Sequence, residues 1–216
     1  GGFILALDSF KLTESPRRLK PVNIYYHWYS GDNLISFSPL KQLYDWSMKQ
    51  ELHAITAAPF ARLVRDARVT RVFQKTPTQW VLKNDGFCRT FRMNKSAQVP
   101  DIAASKGVTG WREYLDSIYI HTDGSPTVEL NLSTSPTPHV YLQSSTAEIR
   151  VLELTRSSAY FFAKDFRACN VALAGFLPNQ NVTITVNGKP MPWAADANGR
   201  LPMELPMEAL VRVTPR

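Results

Sequence analysis

The stretch Val182-Thr183-Ile184-Thr185-Val186-Asn187-Gly188-Lys189-Pro190-Met191-Pro192-Trp193 decides the fold of most of this chain. Apolar and polar residues alternate from Val182 to Val186, which is the period of a half-buried β-strand. Asn187-Gly188 then supplies the two residues that most favour a type I′ turn, and a second strand follows at Lys189–Trp193. The stretch therefore predicts an antiparallel β-hairpin.

Short runs with strand character continue outward from this hairpin, and turn sequences separate many of them. They are Arg71–Gln74, Gln79–Lys83, Phe87–Met93, Ser117–His121, Thr127–Leu132, Ile149–Thr155, Ala159–Ala163, Asn170–Ala174 and Leu210–Val213. Asn84-Asp85-Gly86 is a further hairpin signal. Many short strands without a convincing long helix predict an antiparallel β-sandwich, which we place at residues 71–216.

Residues 1–70 show a different pattern, in which strands and helices alternate. The predicted strands are Phe3–Leu7, Val22–Tyr26 and Leu52–Ile55. The predicted helices begin at the capping residues Ser38 and Thr56, and the second turns Phe60, Leu63 and Val64 inward. This order predicts parallel strands joined by right-handed crossovers. Because these strands are too few to close a barrel, we expect residues 1–70 to be the C-terminal part of a (β/α) barrel, in a chain that begins inside a domain.

Composition argues against two classes of protein, namely nucleic-acid-binding proteins and proteins with a membrane-spanning helix. The 216 residues carry 25 Lys and Arg against 18 Asp and Glu, a net charge of +7 without a block of like charge. The only local cluster, Arg17-Arg18-Leu19-Lys20, is predicted to be a solvated loop. A nucleic-acid-binding protein would show a basic stripe, so we expect no nucleic acid partner. No apolar run approaches the ~20 residues of a membrane span.

The two cysteines, Cys88 and Cys169, match no zinc-binding pattern. In an oxidising compartment they can form one disulfide, and as two buried thiols they can remain reduced. Sequence spacing leaves both alternatives open.

His27 is the residue with the strongest claim to chemistry, since it ends the predicted strand Val22–Tyr26. Active-site groups of α/β barrels gather at the carboxyl ends of strands, where a neutral histidine serves as a general acid–base or metal ligand. The alternative is a histidine that packs beside its neighbours. Trp28 and Tyr29 can form the walls of a glycan groove or be ordinary core aromatics. Asp8 and Asp32 are weaker candidates for the carboxylates of a glycosidase.

Two segments together resemble a known family. The first is the stretch from Pro21 to Gly31 followed by Tyr44-Asp45-Trp46, and the second runs from Trp80-Val81 through Cys88–Met93 to Pro100–Gly110. Both are similar to the deacetylase and post-barrel regions of PelA-type proteins of bacterial Pel exopolysaccharide biosynthesis, which resemble carbohydrate esterase family 4. The resemblance covers about residues 15–145.

The resemblance implies a metal-dependent polysaccharide N-deacetylase that acts on an N-acetylhexosamine-containing exopolysaccharide. His27 corresponds to the general acid that protonates the leaving amine. A divalent, zinc-like metal is expected in the full-length protein, with its ligands outside this chain, so that this part alone is expected to be inactive. The resemblance also implies a periplasmic or envelope location in a bacterium, a polysaccharide substrate and other exopolysaccharide-secretion proteins as possible partners. That location would permit a Cys88–Cys169 bridge.

Two other functions remain open. The chain can be the C-terminal part of a glycoside hydrolase, because such enzymes also join a barrel to a sandwich. It can instead be a non-catalytic carbohydrate-binding or structural β-sandwich module. Exposed coplanar aromatic rings on one sandwich face would favour glycan binding, whereas buried rings would favour a structural role. The candidates are Trp80, Trp111, Tyr141 and Trp193.

Overall fold

A computed structural model describes residues 2–12 and 21–216 of the chain. The predicted basic loop at residues 17–20 lies outside these ranges. The described chain forms two compact units that divide after Leu52. The first unit is helical, and the second contains one helix and all fifteen strands.

The first unit consists of α1 (Gly2–Leu12), a short 3₁₀ helix (Trp28–Gly31) and α2 (Leu34–Ser47). Leu40 and Leu43 of α2 are buried, and the rings of Phe10 and Trp46 stack with centroids 5.9 Å apart. α2 begins four residues before the predicted cap at Ser38, because the side chain of Asn33 accepts the backbone N–H of Ile35 at 2.8 Å. The first unit therefore packs through helix faces.

The predicted barrel strands are wrong. Phe3–Leu7 lies inside α1, and neither Val22–Tyr26 nor Leu52–Ile55 forms a strand. A short apolar run is compatible with a helix or a strand, and here apolar residues continue to Leu12 at helical spacing. An extended segment becomes a strand only when a neighbouring strand satisfies its N–H and C=O groups. Among the described residues, residues 1–70 contribute no strand to a barrel.

The second unit begins with α3 (Ala57–Val69), which confirms the helix predicted after Thr56. The residues predicted to face inward on it, Phe60, Leu63 and Val64, are only half-buried. The strands that follow are β1 (Arg71–Thr76), β2 (Gln79–Lys83), β3 (Thr90–Asn94), β4 (Val99–Pro100), β5 (Val108–Tyr114), β6 (Ser117–Thr122), β7 (Thr127–Ser133), β8 (Tyr141–Ser145), β9 (Glu148–Leu154), β10 (Ala159–Lys164), β11 (Cys169–Ala174), β12 (Asn181–Val186), β13 (Lys189–Ala194), β14 (Leu201–Leu205) and β15 (Glu208–Pro215).

The strands form three sheets, so the predicted mostly-β, antiparallel character of this region is confirmed. Their strand orders are β1-β2-β7-β4, β13-β12-β15-β10-β9 and β14-β11-β8-β5-β6-β3. The hairpin of β12 and β13 is confirmed, with positive φ at both Asn187 and Gly188 as a type I′ turn requires. Asn84-Asp85-Gly86 makes no hairpin, because β2 and β3 belong to different sheets.

Two hydrophobic cores lie between these sheets. The first core joins β2 and β7 of the four-stranded sheet to β5 and β6, with Ile118 and Val128 almost fully buried. The second core joins β10, β12 and β15 to β8, β11 and β14, around Phe161 and Val182. The six-stranded sheet therefore covers both cores, one half over each. Sheets that share a core in this way are typical of sandwich-like packing.

Both cysteine thiols are free and buried, so the structure contains no Cys88–Cys169 bridge. Burial raises the pKa of each thiol above its ordinary value. None of the helices within residues 2–12 and 21–216 has the length and apolar character needed to cross a membrane.

Candidate functional site

The two halves of the six-stranded sheet meet where β5 lies beside β8. This is the parallel pair of the sheet, and it has one register position, Gly110 opposite Leu142. Glycine is required there, because a Cβ would overlap the carbonyl oxygen of Leu142. Both neighbouring strand pairs, β5 with β6 and β8 with β11, are antiparallel and longer. The junction of the two halves is therefore the shortest strand pairing in the sheet.

A cleft of about 330 Å³ opens at this junction. Its lining residues are Trp111, Arg112, Glu113, Tyr141, Gln143 and Arg200. The rings of Trp111 and Tyr141 are half-buried and stack with centroids 5.5 Å apart and planes 9° from parallel. Both rings also pack against the first core, which holds their planes in place. The cleft thus combines a pair of stacked aromatic rings with polar residues.

Arg200 is positioned through both its backbone and its side chain. Asp196 Oδ1 accepts the backbone N–H groups of Asn198 at 2.8 Å and of Arg200 at 2.9 Å. The bond from the Arg200 N–H is the main reason that the pKa of the Asp196 carboxyl lies below its ordinary value. The guanidinium group then donates from Nε to Oε1 of Gln143 at 2.6 Å. Hydrogen bonds within the protein therefore set the orientation of the Arg200 guanidinium group.

The charges in the cleft do not cancel. Lys95 Nζ lies 2.6 Å from Oε2 of Glu113, so this carboxylate already has a cationic partner. Arg200 adds a further positive charge. Burial raises the pKa of the Tyr141 phenol, and the charge of Arg200 offsets only part of this effect. The phenol therefore keeps its proton at neutral pH and can donate a hydrogen bond.

His121 on β6 supports the cleft across β5. It lies opposite Gly110 in register, and its Nε2 is 3.2 Å from the carbonyl oxygen of Gln143 on β8. Because a carbonyl oxygen only accepts hydrogen bonds, this nitrogen carries a proton and donates. Desolvation lowers the pKa of the imidazole, and the bond to Gln143 opposes that shift only in part, while Arg112 adds to it. The ring is therefore neutral at neutral pH.

The residues predicted as catalytic and substrate-binding lie in the first unit. His27 directly precedes the 3₁₀ helix, and Trp28 and Tyr29 belong to it. The His27 ring stacks on Tyr29 with centroids 4.9 Å apart and meets the edge of Tyr25 at 5.4 Å. All are exposed, and Trp28 is 81% exposed. The structure brings the three predicted residues together, but on an exposed turn and not at the end of a strand.

The resemblance implies a metal whose ligands lie outside this chain, and His27 itself is in contact with aromatic rings. The rings in contact with it belong to Tyr25 and Tyr29, which are not usual ligands of zinc. Within the described ranges, no group of three or more His, Cys, Asp or Glu side chains is arranged to hold a metal ion. We therefore assign no step to a metal in this chain.

The other predicted residues are dispersed. Asp8 is exposed on α1, and Asp32 ends the 3₁₀ helix, where its N–H donates to the carbonyl oxygen of Tyr29. Trp80 is half-buried against the first core, and Trp193 is 48% exposed on the edge strand β13. Of the four aromatic candidates for a glycan site, Trp111 and Tyr141 form the stacked pair.

Four polar residues of the cleft are not predicted from the sequence, namely Arg112, Glu113, Gln143 and Arg200. A signal exists for two of them. Trp111 and Glu113 are two residues apart on β5, as Tyr141 and Gln143 are on β8. This spacing places an aromatic and a polar side chain on the same face of each strand. Arg200 has no comparable signal, since a turn after β13 brings it to the cleft.

Comparisons of this chain with models of known protein families, with curated proteins and with solved structures found no match.

Proposed function

We propose that the second unit is a non-catalytic carbohydrate-binding module and that a saccharide lies in the cleft between β5 and β8. The stacked pair of Trp111 and Tyr141 carries this proposal, because flat aromatic surfaces pack well against the apolar faces of sugar rings. The amide of Gln143 and the guanidinium of Arg200 stand beside the rings and can bind hydroxyl groups. An apolar platform with a few convergent polar groups is typical of small-ligand sites.

Binding of defined trisaccharides tests the proposal. The full 216-residue chain is titrated with chitotriose, trigalacturonic acid and the methyl ester of trigalacturonic acid, and binding is measured by calorimetry. We expect at least one of these sugars to bind, and Trp111→Ala to weaken that binding at least tenfold. Trp193→Ala is the matched control, because it removes an exposed tryptophan on the edge strand of a different sheet from β5. No binding of any of the three sugars, or an equal loss in both variants, contradicts the proposal.

A second candidate function comes from the resemblance to polysaccharide deacetylases. In this proposal the chain is the C-terminal part of a metal-dependent N-deacetylase of an N-acetylhexosamine-containing exopolysaccharide, and His27 is the general acid. The exposure of the His27 ring between Tyr25 and Tyr29 supports it, because a general acid must reach the leaving amine. Trp28 and Tyr29 would contact the sugar. The setting would be the periplasm or envelope of a bacterium, with exopolysaccharide-secretion proteins as partners.

Deacetylation by the full-length natural protein tests this second candidate. We expect His27→Ala to abolish release of acetate from a chitin oligomer while the content of bound divalent metal stays the same. His53→Ala is the control, since His53 is an exposed histidine whose Nδ1 lies 2.9 Å from the carbonyl oxygen of Thr146 in the second unit. Full activity of the His27 variant would exclude the acid role.

A further inference from the structure

We infer that the cleft selects an acidic sugar and that the carboxylate of this sugar pairs with the guanidinium group of Arg200. The inference rests on the proposed carbohydrate-binding function and names the class of saccharide that the cleft takes. Charge, the orientation of Arg200 and the position of the aromatic pair support it in turn.

Arg200 supplies positive charge to the cleft. The face of β5 that carries Trp111 also carries the carboxylate of Glu113, whereas Arg112 between them lies on the opposite face of the strand. Lys95 already pairs with that carboxylate at 2.6 Å. Among the described residues, no carboxylate lies within ion-pair distance of Arg200, although the charge of Arg200 contributes to lowering the pKa of the Asp196 carboxyl. An anionic group on the ligand would therefore form a direct ion pair with the guanidinium group of Arg200.

The bond to Gln143 leaves Arg200 suited to a planar anion. Nε of the guanidinium is occupied by Oε1 of Gln143, which sets the orientation of the guanidinium plane. Its two terminal nitrogens remain as a fixed pair of donors. Such a pair matches the two oxygens of a carboxylate in a bidentate arrangement, which a lysine ammonium cannot reproduce. The backbone bonds between Asp196 and Arg200 reduce the ordering that a ligand must impose.

The position of the aromatic pair connects this charge to a sugar ring. Trp111 and Tyr141 line the same cleft as Arg200, so that a ring stacked on them would hold its substituents beside the guanidinium. A uronic acid satisfies all these features, with its ring on the aromatic residues and its carboxylate on Arg200.

Trigalacturonic acid and its methyl ester are the matched probes, because esterification removes the charge and keeps the sugar rings. We expect the full 216-residue chain to bind the acid at least tenfold more tightly than the ester at pH 7. Arg200→Gln should abolish this preference, and Arg200→Lys should retain only part of it. Gln143→Ala should weaken the preference as well, because it releases the guanidinium. Thermal unfolding of each variant confirms that it is folded.

Arg65→Gln is the control for general attraction. Residues 57–83 contain six basic side chains and a single acidic one, so α3 and the first two strands carry much of the net charge. Arg65 is exposed on α3, and its substitution removes one charge without touching the cleft. An equal effect of the Arg65 and Arg200 substitutions would overturn the inference, as would equal binding of acid and ester. Binding of glucose 6-phosphate in preference to galacturonate would overturn it too. If the ester and chitotriose bind and depend on Trp111, the carbohydrate-binding proposal stands without this inference.

Discussion

Asp66 binds the backbone of Cys88, 22 residues further along the chain. Its Oδ2 accepts the Cys88 N–H and the Phe87 N–H, each at 2.7 Å, and its Oδ1 accepts the Asp85 N–H at 2.6 Å. The side chain is almost fully buried on α3. One carboxylate thus ties the helix to the segment that leaves β2 and enters another sheet. This explains why Asn84-Asp85-Gly86 changes sheets and does not close a hairpin.

We predict that Asp66→Ala lowers the free energy of unfolding by about 3 kcal/mol, because three N–H donors lose a charged acceptor. Urea denaturation followed by tryptophan fluorescence measures the change. Asp85→Ala is the control, since this exposed neighbour keeps its backbone bond, and we expect an effect within about 0.5 kcal/mol. Equal stability of the two variants would show that the carboxylate of Asp66 does not hold the segment.

Gly110→Ala should destabilise the second unit by about 2 kcal/mol or more, because the new Cβ overlaps the carbonyl oxygen of Leu142 and pushes β5 from β8. The same substitution should weaken saccharide binding, since the cleft forms at this pair. Gly31→Ala provides the comparison, because no atom lies within 4 Å of a Cβ built there. Unfolding curves and calorimetric titrations of both variants check the prediction, which fails if Gly110→Ala behaves like Gly31→Ala.

Stability should fall between pH 7.5 and pH 5.5 because of His121. Desolvation, opposed in part by the bond to Gln143, holds the pKa of its imidazole below the ordinary value. On acidification through about pH 6.5 the unfolded chain therefore binds a proton before the folded chain does. The free energy of unfolding then decreases by at most about 1.4 kcal/mol per pH unit from this group.

Denaturation at the two pH values measures the effect. His121→Gln should remove most of the difference between pH 7.5 and pH 5.5, whereas His53→Gln should leave it as in the wild type. A pH dependence that survives in the His121 variant would assign it to other groups.

Leu115 should be replaceable with a gain in stability. It lies between β5 and β6 with φ of 54°, a left-handed conformation that suits asparagine better than leucine, and its side chain is 64% exposed. We expect Leu115→Asn to raise the free energy of unfolding by about 0.5 to 1 kcal/mol. Leu177→Asn, at a similarly exposed leucine without a positive φ, should not stabilise the protein. Calorimetric melting of the two variants decides between these outcomes.

The strands of the second unit could be predicted where their pattern is local. β2 matches its predicted bounds, and β10 and β12 differ from theirs by one residue. β5, β8 and β14 are not predicted from such a pattern. β5 carries Trp111 and β8 carries Tyr141, the two aromatic residues of the cleft. In β5, Gly110 interrupts the alternation, because β8 lies too close for a Cβ at this position. Such requirements lie outside the strand itself.

By itself, the sequence determined the β-rich character of the second unit and the β12–β13 hairpin, because alternation and the Asn187-Gly188 turn act between neighbours in the chain. It also indicated Trp111 and Tyr141 as candidate aromatic residues of a glycan-binding site. Only the tertiary structure decided that the first unit packs as helices, that Asp66 redirects the chain after β2, and that Arg200 joins Trp111 and Tyr141 in one cleft. Each of these depends on groups far apart in sequence, and contacts of that kind form only when the whole chain folds.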